Sequence, residues 1–193
     1  MEYKYLLGIA SVVIGLLAFV PYFRDLKRGT TKPHLFTWSI WGLVYVIAFA
    51  AQVAEGAGPG AWFLGADALA CFGIAIYALF EGRKDITKTD WVCFVAALAG
   101  VVLWIGTSDP LWAVLAAVVV EVFAFAPTYR KTFLRPYEET ASSYAWAVVV
   151  VVLSLLALES YTMTTWLYPL SIVITNSIFV LLIWVRRKQI KKS

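Results

Sequence analysis

Charged residues are scarce in this 193-residue chain, and histidine and cysteine are nearly absent. Only 15% of the residues are Asp, Glu, Lys or Arg, whereas about a quarter are charged in an ordinary soluble domain. The single histidine, His34, cannot form a metal cluster alone, and the sequence has no nucleophile–base pair or phosphate-binding loop. Cys71 and Cys93 lie in apolar segments, where we expect buried hydrophobes rather than a disulfide. We therefore expect neither an enzyme nor a protein with a metal or cofactor.

Apolar residues, in contrast, are in excess. The chain is 62% hydrophobic with a mean hydropathy of +0.79, more than one small water-soluble core can bury, so a bilayer must solvate much of it. Seven apolar segments each approach the ~20 residues that cross the hydrocarbon, and lipid favours helices because it offers backbone polar groups no water. The first lacks a small-residue cleavage site and is expected to be a retained helix. The segments span 4–23, 35–54, 60–81, 89–106, 110–129, 142–159 and 164–185.

Basic residues almost all lie on one predicted side of the membrane. Fifteen of the 16 follow the first, third, fifth or seventh segment, and only Lys4 lies on the other side. The opposite loops contain Glu55, Asp109 and Glu159 but no basic residue. The positive-inside rule then places the N-terminus outside and the C-terminus in the cytoplasm, and the compact loops favour a bacterial inner membrane. This distribution argues against a nucleic-acid partner despite the net charge of +4.

The sequence also contains an internal repeat. The stretch Gly15–Arg24 returns as Glu121–Arg130, with a spacing of 106 residues, and the third segments correspond with a spacing of 104, which aligns Asp67 with Ser171. The fourth segment has no counterpart, so it links two copies that run in the same direction. We therefore predict an all-α membrane protein with seven transmembrane helices in a 3+1+3 arrangement. Its predicted units are a first bundle over 1–86, a linker helix over 87–108, and a second bundle with a basic tail over 109–193.

The repeat carries a family resemblance. Pro127-Thr128-Tyr129-Arg130, Glu139-Thr140 and Ser142-Ser143-Tyr144 resemble the SWEET pattern of Pro-Thr-Phe, a basic stretch, Ser-Thr-Glu and Phe-Ser before the next helix. The chain is thus similar to the SWEET and PQ-loop superfamily, as a divergent bacterial member. Two features depart from the pattern: no Gln follows either proline, and the paired Asn of SWEETs aligns near Asp67 and Ser171. The resemblance implies the fold and a carrier mechanism, but not a sugar substrate.

Two acidic residues within apolar segments are the sharpest candidates for a site. Asp67 lies in the third segment and Glu121 in the fifth, where a charged carboxylate costs about 2.5–3.5 kcal/mol. Each acid faces a polar cavity, pairs with another group or is protonated. The alternative is a structural hydrogen bond between helices. The predicted substrate-binding residues are Asp67, Asn176, Thr175, Ser171, Glu121 and Gln52.

Prolines and tryptophans supply the candidates for gating. Pro21 and Pro127 lie near the ends of the first and fifth segments, where a proline removes a backbone hydrogen bond. Each is either a hinge or the point at which its helix ends. Trp41 and Trp146 lie near the cytoplasmic starts of the second and sixth segments and either line a gate or belong to the interfacial aromatic belt.

The leading functional prediction is a small-solute transporter that works by alternating access between the two bundles. A polar or cationic solute fits Asp67 and Glu121 better than a neutral sugar, and an acid that breaks the repeat suits proton or cation coupling. The alternative is a non-transporting membrane receptor or binding protein on the same fold. Monomeric and oligomeric forms both stay open.

Overall fold

The protein is almost entirely helical. A computed structural model describes residues 2–28, 33, 35–81, 88–134, 136–138 and 141–190. Within these residues the chain forms seven α-helices, two 3₁₀ turns at Gly58–Ala61 and Pro136–Glu138, and no strand. Each predicted apolar segment overlaps one helix, so the all-α class is confirmed. The helices are α1 Glu2–Lys27, α2 Leu35–Ala54, α3 Trp62–Glu81, α4 Lys88–Thr107, α5 Leu111–Leu134, α6 Ala141–Ala157 and α7 Met163–Gln189.

Three stretches of the described chain are long and apolar enough to cross a membrane: Glu2–Arg24, Gly58–Phe80 and Met163–Gln189. The other four helices have shorter apolar stretches. Large apolar side chains point away from the protein; Leu69 is 75% exposed and Phe80 is 79% exposed. Such exposure is unfavourable in water and costs little against lipid tails. Length and exposure together mark the chain as a membrane protein.

The helices pack in a regular pattern. Helix α3 lies between α1 and α2 and packs against both, and α7 lies between α5 and α6 in the same way. The described residues show no comparable packing of α1 on α2 or of α5 on α6. The most extensive helix contacts that join these groups are α1 with α6 and α2 with α5, and smaller ones join α2 with α7 and α3 with α6. Helix α4 packs mainly on α5 and less extensively on α2.

Small residues bring α4 close to α5. Gly100 on α4 leaves no room for a methyl group, which would overlap the Cβ of Ala116 on α5. Ala97, Ala113 and Ala117 are buried in the same core. Close approach through small residues is a usual way for helices to associate in lipid, where the hydrophobic effect gives no preference for helix contact.

The two ends of the helix assembly differ in charge. The basic end, where α1, α3, α5 and α7 finish, has its described helix-end cations at Arg24, Lys27, Arg186, Arg187 and Lys188. It is held partly by the Arg186 side chain, whose Nε donates a hydrogen bond to the Phe133 carbonyl at 2.8 Å. The opposite end contains Glu55, Asp109 and Glu159.

At the end opposite the basic one, three pieces of chain pack closely at their glycines. We call this contact the glycine seal; it consists of Gly8 on α1, the turn Gly58–Ala61, and Leu158–Glu159 after α6. A Cβ at Gly8 would lie 2.6 Å from the Pro59 Cβ, and one at Gly60 would lie 2.8 Å from the Ser154 carbonyl oxygen. The Glu159 amide donates to the Ala57 carbonyl at 3.0 Å, and Lys4 Nζ donates to the Leu158 carbonyl at 2.6 Å.

Both prolines of the repeat lie inside helices. Helix α1 continues from Pro21 to Lys27, and α5 continues through position 127 to Leu134. The interpretation that each proline ends its helix is therefore wrong. Transmembrane helices tolerate such prolines because neighbouring helices and local adjustment satisfy the freed backbone groups. The side chain of Pro127 lies outside the described part of the structure.

Candidate functional site

A cavity of about 820 Å³ lies among α1, α2, α3, α5, α6 and α7. Its lining includes buried residues at depth, such as Phe63 and Ile172. Its rim lies at the basic end, where Arg24 and Ser143 are exposed. The glycine seal lies at the other end of the same helices. The cavity is therefore open towards the basic end and closed towards the opposite one.

Asp67 reaches this cavity from α3. Its helix presents small residues around it, Gly65, Ala66 and Ala68. On the facing helix α1, Gly15 leaves the space that the carboxyl occupies, because a Cβ there would lie 3.3 Å from Asp67 Oδ1. That oxygen is buried and has no hydrogen-bond partner. An unpartnered buried carboxyl oxygen is costly, so Asp67 has acceptor capacity for a group that enters the cavity.

Glu121 lines the cavity from α5 and is only 4% exposed. It lies beside the hydroxyl of Tyr168, which is fully buried and has no partner in hydrogen-bond geometry. Tyr45 on α2 lines the cavity within electrostatic range of both Glu121 and Asp67. The two carboxyls, although 54 positions apart in sequence, thus line the same cavity.

The remaining predicted binding residues separate into two groups. Asn176 lines the cavity, with its Nδ2 donating to the Ile172 carbonyl at 2.9 Å. Ser171 and Thr175 instead donate their hydroxyls to carbonyls of their own helix and are not among the described lining residues. Gln52 is fully buried away from the cavity, and neither its Oε1 nor its Nε2 has a partner. The structure therefore brings together Asp67, Glu121 and Asn176.

The candidates for gating also separate. Pro21 and Trp41 line the cavity near the basic end, and the indole Nε1 of Trp41 is buried without a partner. Trp146 is 52% exposed and is not among the described lining residues. His34 and the side chain of Cys93 lie outside the described part of the chain.

Two aromatic pairs flank the cavity at the basic end. The ring centroids of Phe19 and Trp38 are 6.3 Å apart, and those of Phe125 and Tyr144 are also 6.3 Å apart. The repeat spacing of 106 residues relates one pair to the other. All four residues line the cavity. We call them the paired aromatics.

Comparison of the chain with family models, with curated proteins and with solved structures gives no match. The resemblance to the SWEET and PQ-loop superfamily stays a prediction, which rests on the residues quoted above. The chemistry of the site follows from the chain's own side chains. In the described residues no three His, Cys, Asp or Glu side chains are grouped as a metal site would require.

Some lining residues were not singled out from the sequence. Tyr45, Phe125 and Tyr144 are the main examples. Nothing in the sequence around Tyr45 marks it as a cavity residue, because it is one of several aromatic residues in a helix that is apolar on every side. Phe125 and Tyr144 had a signal in the repeat, since the same spacing that aligns the prolines also aligns them with Phe19 and Trp38.

Proposed function

We propose that this protein is a membrane carrier for a small solute and works by alternating access. One observation carries the proposal: a cavity that is open at one end of the helices and closed at the other contains Asp67 from α3 and Glu121 from α5. A carrier needs a central site that reaches one side of the membrane at a time. The cavity with its glycine seal suits the state that is open at the basic end.

We propose the 3+1+3 arrangement for the moving parts, with bundles over 1–86 and 109–193 and a linker over 87–108. The packing supports it, because α3 lies between α1 and α2 as α7 lies between α5 and α6. The contacts between the groups support it as well: exchanging the two bundles converts the α1–α6 contact into the α5–α2 contact. An approximate twofold relation of this kind is typical of parallel-repeat carriers, and it favours the SWEET-like assignment.

We propose that the basic end faces the cytoplasm, with the N-terminus outside, in a bacterial inner membrane. The support is the positive-inside rule applied to the Lys and Arg residues at the ends of α1 and α7. In this orientation the cavity is open inwards and the glycine seal is the outer gate.

The paired aromatics suit the role of the inner gate. Phe19 and Phe125 lie two residues before Pro21 and Pro127 in their helices. A proline removes one helix hydrogen bond and is a common place for a kink. Bending at these two points would bring the Phe19–Trp38 pair and the Phe125–Tyr144 pair towards each other at the basic end, while the parts of the glycine seal separate. Proton or cation coupling through Glu121 and Asp67 belongs to the same proposal.

Reconstitution in proteoliposomes tests the proposal. Uptake of labelled amines, amino acids and sugars is measured for the native chain and for Asp67→Asn, Glu121→Gln and Glu55→Gln. Glu55 lies in the turn after α2, outside the cavity lining, so its variant removes one acid elsewhere and serves as the matched control. We expect uptake by the native chain and by Glu55→Gln, and strongly reduced uptake by the two cavity variants.

Two results would contradict the carrier proposal. If no solute is taken up by any variant, the chain is not a carrier of the tested classes. If a solute binds tightly and saturably but never crosses, the receptor alternative replaces the carrier. If Asp67→Asn takes up less solute than Glu55→Gln although both variants have the same thermal stability, the loss of uptake is due to the site rather than to folding.

A further inference from the structure

We propose that the solute is a small organic cation, whose ammonium group binds between Asp67 and Glu121 and whose body packs against the aromatic walls of the cavity. This inference deepens the proposed function and rests on it for transport. The binding itself is argued from the cavity alone.

The charges of the cavity favour a cation. Both carboxyls lie at depth, and Asp67 Oδ1 has no partner. Among the described lining residues, Arg24 is the one basic residue, and it is exposed at the rim, where water screens its charge. A neutral solute would leave two buried acidic groups without a cationic partner. An ammonium group supplies the opposite charge and hydrogen-bond donors together.

The aromatic lining favours an organic cation over a metal ion. Tyr45 lines the same cavity as both carboxyls, and Trp38 and Trp41 precede it on the same helix, with ring centroids 5.5 Å apart. The ring centroid of Tyr22 on α1 lies 5.0 Å from that of Trp38. Aromatic faces attract ammonium groups through the ring quadrupole. Calcium ions instead require about six to eight oxygen ligands, and two carboxyls with aromatic walls do not provide that shell.

The size of the cavity points the same way. At about 820 Å³ it falls within the roughly 300–1,000 Å³ of pockets that enclose whole organic molecules. A bare ion would leave most of that volume to water. The apolar lining, which includes Phe63 and Ile172, can instead cover the body of an organic ligand.

The two carboxyls approach the cation from non-equivalent helices, α3 and α5, because the repeat is broken in complementary ways. Asp67 faces Gly15, while Glu121 occupies the position equivalent to Gly15, and Ser171 the position equivalent to Asp67. Each bundle therefore contributes one acid. A side chain at Gly15 would contact Asp67 Oδ1 directly and cover it.

Direct binding tests the inference. Ethanolamine and benzylamine share one protonated amine head, which carries N–H donors, and differ in the size of the body; the neutral control replaces the ammonium group of ethanolamine with a methyl group. Tryptophan fluorescence is titrated in detergent-purified protein, with Trp41→Phe to assign the signal to the cavity. Variants Asp67→Asn, Glu121→Gln and the Glu55→Gln control are titrated in parallel, and sodium chloride tests a metal cation.

We expect saturable quenching by at least one of the two ammonium probes and none by the neutral analogue or sodium. Each cavity variant should weaken binding by about tenfold or more, which corresponds to ~1.4 kcal/mol, while Glu55→Gln binds as the native chain does. Equal binding of the neutral analogue, or no saturable binding of either ammonium probe by protein with native thermal stability, overturns the inference. Ammonium binding without uptake would contradict only the carrier proposal. Uptake of a neutral solute without ammonium binding would contradict only the organic-cation inference.

Discussion

The glycine seal allows one sharp test of alternating access, the substitution Gly60→Ala. Gly60 does not have the positive φ that a side chain would strain, so only contacts matter. A Cβ there would lie 2.6 Å from Leu158 Cδ2, 2.8 Å from the Ser154 carbonyl oxygen and 2.9 Å from Leu158 Cα. The leucine methyl can rotate away, but the two backbone atoms cannot. Carbon atoms normally pack about 3.5–4.0 Å apart, so α6 and the turn must separate by about half an ångström or more.

Overpacking of this kind costs about 1–3 kcal/mol. The cost applies only to the state in which the seal is closed, because the same methyl group meets no neighbour once α6 and the turn have parted. A bias of about 1–3 kcal/mol changes the ratio of two conformations by roughly 5- to 150-fold. We therefore expect Gly60→Ala to populate the state that is open at the end opposite the basic one.

Accessibility of a cavity cysteine measures this shift. A reporter at Ala18, which lines the cavity, is introduced after Cys71 and Cys93 are replaced by alanine. A membrane-impermeant thiol reagent is then added to one side of oriented vesicles. We expect labelling of the parent from the side of the basic end, and faster labelling of Gly60→Ala from the opposite side.

Gly73→Ala is the matched control for this substitution. Gly73 lies in α3, a methyl group there meets nothing within 4 Å, and alanine raises helix stability by roughly 0.5–1 kcal/mol. If Gly60→Ala labels from the opposite side no faster than Gly73→Ala and melts at the same temperature, the glycine seal is not a gate and the reasoning fails.

Three further substitutions have defined outcomes. Gly100→Ala should destabilise the protein by about 1–3 kcal/mol in a thermal unfolding assay, because its methyl group overlaps α5; an effect no larger than that of Gly106→Ala, where nothing lies within 4 Å, would contradict the α4–α5 contact. Gln52→Leu should raise the unfolding temperature, since it removes two buried polar atoms without partners, each of which costs about 1–3 kcal/mol; destabilisation would mean that the amide has a role in another conformation. Pro21→Ala should restore a helix hydrogen bond and slow uptake without weakening ligand binding, and unchanged uptake would exclude a hinge at this position.

The helices were predictable because their lengths are set by the bilayer. Segments near 20 apolar residues correspond to α3 at Trp62–Glu81 and α7 at Met163–Gln189. The cavity positions of Asp67 and Glu121 were predictable for a related reason: an acid inside a lipid-spanning helix is stable only where it avoids the lipid. Asn176 follows the same rule more weakly, since an amide costs less to bury than a charge.

Whether the other side chains face the lipid, the protein interior or the cavity could not be predicted in this way. In a soluble helix, polar and apolar faces show which side is buried. Here lipid and protein interior are both apolar, so the sequence around Trp146 does not show that it faces outwards, and that around Tyr45 does not show that it faces the cavity. Ser171 and Thr175 are polar, but their hydroxyls bond to their own helix, an outcome open to any serine or threonine in a helix.

The departures from the repeat carry more functional information than the repeat itself. A strict duplicate of the first copy would place Asp at 67 and at 171, and a strict duplicate of the second would place Glu at 15 and at 121. In either case a central ligand would meet two identical acids on equivalent helices. The chain instead has two different acids on non-equivalent helices, Asp67 on α3 and Glu121 on α5, and places a small residue, Gly15, opposite Asp67. Because each copy of the repeat contributes one acid, the proposed cation would bind to both copies. A movement that separates one copy from the other would then change its affinity, which is the condition for coupling binding to a conformational change.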